Sequence, residues 1–149
     1  MRRLRPDDPF ELPAPGAAVG LEGIRVICAH YGLDDLWRKI EADPPAQPFA
    51  SDGCTGWVDS WNGISIYPAC FLHDLKYWAG YPGEEVERLI ADAALMIDVA
   101  CLLGRTGMAE TMFHGVRVGG HEAFRQPFSW GFGRVIPPSR PRARADPPA

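Results

Sequence analysis

Apolar residues recur at helical intervals from Leu21 onward. Leu21, Ile24, Ile27, Cys28 and Tyr31 share one face between Gly20 and Gly32, which predicts a first helix. After the break at Gly32, Asp34 is suited to cap a second short helix reaching Ala42. Pro44-Pro45 and Pro48 end it. From Ala50 to Tyr67 no period is sustained, and the stretch holds three glycines and three tryptophan or tyrosine residues. That pattern predicts a structured loop with a short extended piece at Ile64–Tyr67. Pro68 suits the first turn of a helix running to about Ala79. Gly80-Tyr81-Pro82-Gly83 reads as a tight connection. Glu84, Glu85 and Glu87 then stand where a helix dipole favours acids, at the start of a long helix out to Leu103. Gly104 stops that helix. A further helix is expected over Arg105 to Phe113, with breaks beyond it at Gly119-Gly120 and Pro127.

The ends differ from this body. Residues 1–19 hold four prolines and few bulky apolar groups, so they read as an extended arm. Pro and Arg dominate residues 137–149, which predicts a disordered tail. The expected organisation is therefore an arm, one mainly α domain over 20–136, and the tail. At 149 residues the chain is long enough for one real core.

Charge narrows the function. The net charge is -4, and Arg140, Arg142 and Arg144 lie in the tail, so the body is more acidic still. A nucleic-acid partner is not expected. The longest apolar run, Ala91 to Leu103, contains Asp92 and Asp98 and falls short of the roughly 20 apolar residues of a membrane span. The N-terminus has basic residues with no apolar core behind them, so it does not read as a secretory signal. Release by a non-classical route, carriage on a particle, and the cell interior all stay open. Cys28, Cys54, Cys70 and Cys101 leave three full pairings open. Any disulfide implies an oxidising compartment, which conflicts with the missing signal.

The candidate chemistry begins at Cys70-Phe71-Leu72-His73-Asp74-Leu75-Lys76-Tyr77. Adjacent helical residues point about 100° apart, so His73 and Asp74 can flank one groove. Cys70 and Tyr77 lie one turn to either side of His73. The next helix is apolar nearly all round from Ala91 to Leu103, which predicts burial on several sides. Asp92 falls inside its apolar stripe, where a carboxylate needs a specific donor. If the two helices form a hairpin about residues 81–82, position 73 faces roughly position 90. Asp92 is then within a turn of His73, and Tyr77 can donate a second bond to it. Asp98 would face about position 65, too far along. A histidine backed by a buried carboxylate is a general-base arrangement. Asp74 stays a free carboxylate beside it. Asp52-Gly53-Cys54 adds another carboxylate and a glycine able to turn its carbonyl inward. Oxygen ligands of this kind suit Ca²⁺.

Cys-x-x-His-Asp-x-x-Tyr at 70–77 resembles the active-site helix of phospholipase A2. Asp52-Gly53-Cys54, fourteen residues, then Ala69-Cys70-Phe71-Leu72-His73-Asp74 most resembles the family's small bacterial and fungal branch. The likeness covers about residues 50 to 98. It implies a core of two antiparallel helices with a calcium-binding loop. It implies that His73 activates water, that Asp92 orients His73, and that Tyr77 supports the pair. It also implies that Asp74, the Asp52 side chain and the Gly53 carbonyl bind Ca²⁺, with Cys54 paired to Cys70. The activity implied is hydrolysis of the sn-2 ester of glycerophospholipids at a membrane surface. Trp57, Trp61, Trp78 and Tyr81 are amphipathic aromatics that can sit at lipid or fill a core. The glycine-rich calcium loop and paired cysteines of the animal enzymes are absent, and Cys28 and Cys101 match no pair.

Other readings compete. Cys54, Cys70 and His73 could ligate zinc. Cys70 and His73 could form a nucleophilic pair, although i,i+3 spacing on a helix leaves no clear oxyanion site. Asp52 could be a turn former before Gly53. His30, His114 and His121 show no partner pattern and read as surface or packing residues. A non-catalytic module with the same fold, binding lipid or protein through its aromatic surface, is the alternative function.

Overall fold

Among the described residues, the periodic segments become five helices and one small hairpin. A computed structural model describes residues 2–54, 57–121 and 128–134. The helices are α1 (Leu21–Tyr31), α2 (Asp34–Ala42), α3 (Tyr67–Ala79), α4 (Glu85–Leu103) and α5 (Gly107–Gly119). Strands β1 (Ser60–Trp61) and β2 (Ile64–Ser65) pair antiparallel between α2 and α3. The protein is mainly α.

Several boundaries differ from expectation, each for a local reason. Asp34 opens α2 instead of capping it, and the cap position is Leu33. Asp34 and Asp35 then act on the helix dipole from within the first turn. Only Ile64–Ser65 of the expected extended piece is strand, and it pairs with Ser60–Trp61 around Asn62-Gly63. Both turn residues have positive φ (53° and 77°), the geometry of a two-residue hairpin loop. Helix α5 runs past Phe113 to Gly119. Its packing against α4 outweighs the weak helix propensity of Gly115.

The core centres on α3. Ala69, Phe71, Leu72, Leu75, Trp78 and Ala79 are all buried, and Pro68 sits in the first turn. Each large side chain removed from water contributes about 1.5–3 kcal/mol. Truncating Leu72 to Ala, at a position with no exposed surface, should cost about 2–5 kcal/mol. Trp78 belongs to this core and donates its Nε1–H to the Gln47 carbonyl (2.9 Å), so it is not available at a lipid surface. Trp61 is exposed, and Trp57 and Tyr81 are half-buried.

Residues 2–19 contain no helix and lie against the body. Leu4 is buried, the Arg2 N–H donates to the Tyr31 carbonyl (2.9 Å), and Val19 bridges to Phe49. The tail expected over 137–149 lies outside the described residues.

Helix α4 packs on α3 and α5 through Arg88, Ala91, Asp92, Leu95, Asp98, Val99 and Leu102. Its opposite face exposes Val86, Leu89, Ile90 and Ile97. Burial on several sides, expected from the apolar sequence, therefore holds for only part of the helix. Among the described residues, no helix is long and apolar enough to cross a membrane.

Candidate active site

The antiparallel contact of α3 and α4 joins His73 to Asp92. His73 Nε2 lies 2.8 Å from Asp92 Oδ1, and Tyr77 donates its hydroxyl to the same oxygen at 2.6 Å. The His73 and Tyr77 rings, one helical turn apart, pack with centroids 4.3 Å apart. Asp92 is fully buried and His73 is 7% exposed. A carboxylate accepts, so Nε2 carries the proton and Nδ1 keeps the lone pair. Burial pushes the His73 pKa below its ordinary value, while Asp92 pulls it the other way. The imidazole is therefore neutral at pH 7 and ready to take a proton. Burial, reinforced by Asp92, raises the Tyr77 pKa, so its hydroxyl stays a donor.

The second oxygen of Asp92 is held by residues not foreseen from the sequence. Arg117 of α5 donates from Nη1 to Asp92 Oδ2 at 2.8 Å, and Arg88 Nη1 lies 3.5 Å away. Arg88 also donates to the Tyr77 hydroxyl (3.2 Å) and to the carbonyls of Val116 and Arg117 (3.1 Å each). Glu85 accepts from both arginines. Arg88 stands four residues before Asp92, a spacing that pairs side chains on a helix and could have flagged it. Nothing local in the sequence points to Arg117. Gly120 lets the chain after α5 close over this network. A Cβ there would lie 2.6 Å from the Tyr77 hydroxyl oxygen.

The loop before the hairpin reaches the other side of His73. Cys54 and Cys70 form a disulfide that ties it to α3. Gly53, with φ of +78°, takes a left-handed turn that L side chains rarely adopt. Ser51 is buried, donates its hydroxyl to Asp74 Oδ2 (2.7 Å) and accepts the Gly53 N–H (3.1 Å). It too is absent from the residues expected at the site. Burial raises the Asp74 pKa well above the carboxylate range; the Ser51 bond opposes this, and the neighbouring Asp52 adds to it. Two crowded carboxylates of this kind fit a cation, which would relieve their repulsion. Among the described residues no three His, Cys or acidic side chains are grouped so as to hold a metal ion, so further ligand oxygens would come from backbone and water.

A cavity of about 150 Å³ opens between these groups. Gly53, His73 and Asp74 line it together with Leu95, Met112 and Val116. A base, the Asp74 carboxylate and an apolar recess thus meet in one space, while Asp52, beside Asp74, is exposed and does not line it.

Three other readings change. The disulfide consumes both cysteines of the zinc set and of the Cys70–His73 nucleophile, so neither exists in this oxidised form. His30 does have a partner: its Nε2 lies 2.7 Å from Asp8 Oδ2, and its ring stacks on Phe10. Asp98 stays away from His73, as expected. It is buried, and burial raises its pKa to about 6 against the pull of Lys76. Compared with protein-family models, with curated proteins and with solved structures, the chain matches none of them.

Proposed function

We propose that the protein is a calcium-dependent phospholipase A2-like hydrolase that cleaves the sn-2 ester of glycerophospholipids. The observation that carries this reading is the His73–Asp92 pair at 2.8 Å, its ring beside Asp74 at the edge of an apolar cavity. In the mechanism, water gives its proton to His73 Nδ1 as its oxygen attacks the ester carbonyl carbon. Asp92 and Tyr77 hold the ring and stabilise the imidazolium that forms. The imidazolium then returns the proton to the departing glycerol oxygen. The products are a fatty acid and a lysophospholipid, with no covalent intermediate. A Ca²⁺ ion held by Asp52, Asp74 and the Gly53 carbonyl would supply Lewis-acid polarisation of the carbonyl and charge for the phosphate. The recess lined by Leu95, Met112 and Val116 suits an acyl chain better than a polar substrate.

The test is release of fatty acid from phosphatidylcholine vesicles whose two acyl chains differ. The expected result is release of the sn-2 chain with Ca²⁺ present and loss of release with chelator. Release of neither chain at any Ca²⁺ concentration would leave the non-catalytic module as the better reading.

A further inference from the structure

We infer that Arg117, on α5, is a positioning residue that fixes the orientation of the Asp92 carboxylate and so the aim of His73. The kinetic part of this inference rests on the hydrolase reading; the geometric part does not.

The two oxygens of Asp92 are satisfied from different sides. Oδ1 accepts from both His73 and Tyr77. Oδ2 is as deeply buried, because the residue has no exposed surface. A buried carboxylate oxygen without a donor is costly, so something must hold it. Arg88 is close, but its Nη1 lies 3.5 Å from Oδ2 and already donates to Tyr77 and to the Val116 carbonyl. Arg117 Nη1 supplies the short bond, at 2.8 Å. Arg117 is itself held from the outside, where its Nη2 donates to Glu85 at 2.8 Å. The guanidinium thus bridges a surface acid and a buried one, a use suited to its planar fork.

Without Arg117, the nearest cation to the carboxylate is Arg88. The carboxylate would swing toward it to satisfy Oδ2, and Oδ1 would leave the line to His73 Nε2. The Arg117 side chain is not among the groups that line the cavity, so its loss should affect turnover more than substrate binding.

The experiment compares wild type, Arg117→Met and Arg117→Lys by two readouts. One is kcat and KM on phosphatidylcholine vesicles with Ca²⁺. The other is the low-field proton resonance of the His73 ring N–H shared with Asp92, assigned by its absence in His73→Gln. In Arg117→Met we expect kcat to fall about tenfold or more, KM to stay within about twofold, and the resonance to shift or broaden. Arg117→Lys should restore much of both. An unchanged resonance in Arg117→Met, or a loss that Lys does not repair at all, would overturn the inference. If wild type proves inactive, the hydrolase reading fails while the resonance still decides this one. If Arg117→Met does not fold, Glu85→Gln decides. It loosens Arg117 from the surface and removes one partner of Arg88, which keeps Tyr77 and two carbonyls; a shifted resonance supports the inference while an unmoved one overturns it.

Discussion

Helix α4 carries two buried aspartates that the chain treats in opposite ways. Asp92 receives His73, Tyr77 and Arg117, with Arg88 close by. Asp98, six residues on and 4% exposed, makes no hydrogen bond or ion pair among the described residues. It feels only the longer-range pull of Lys76, and burial raises its pKa to about 6. Both sit in the same apolar helix, so burial alone does not make a functional acid. The difference is the number and direction of the donors around it.

Replacing each acid should therefore have opposite effects. Asp92→Asn removes the buried negative charge that Arg117 and Arg88 face and weakens the support of His73. Breaking a buried pair in this way should cost roughly 3–5 kcal/mol of stability, read from denaturant unfolding. Turnover should fall by about 10²–10⁴. Equal stability of Asp92→Asn and wild type would erase the contrast.

Asp98→Asn should stabilise the protein near pH 8, by up to roughly 3 kcal/mol. The sign comes from the raised pKa, from 3.8 to about 6. The folded state holds that proton more tightly than the unfolded state, so ionising Asp98 works against folding. The penalty is full above the folded pKa, shrinks as pH falls from about 6, and is gone below 3.8. The gain from Asn should take the same course in melting curves.

A cavity substitution sharpens the contrast from the substrate side. Gly115 lines the recess, and a Cβ there would already lie 3.3 Å from the Trp57 ring. Gly115→Leu should raise KM or abolish turnover while leaving the Asp92 network unaltered, as read by unfolding midpoint and vesicle kinetics. The smallest effect is in pH. Burial holds His73 below 6.5, so the acid limb of kcat/KM should have its midpoint below that value, with activity lost only as the imidazole protonates.

Much of this was legible because it is local. Helical spacing marks α1, α3 and α4, and the antiparallel register about Tyr81–Pro82 brings Asp92, not Asp98, to His73. What was not legible is non-local. Arg117 comes from a helix 25 residues beyond Asp92, and Ser51 from a loop 23 residues before Asp74. No period or spacing links such residues; only the packed chain does. The Asn62-Gly63 hairpin was a different kind of miss, since that dipeptide is a known turn signal in the sequence itself. The open face of α4 shows the limit of pattern in the other direction. Ile97 lies in the stretch expected to be buried on several sides, yet it is exposed, and none of the described elements covers it.

The contrast between the two acids matters only if the supported one serves a working base. The most direct measurement is fatty-acid release by His73→Gln against wild type, on the same vesicles with saturating Ca²⁺ and with helix content checked by circular dichroism. His73→Gln should lose at least about 10²-fold of the wild-type rate with the fold intact. A folded His73→Gln that turns over at the wild-type rate would contradict that expectation.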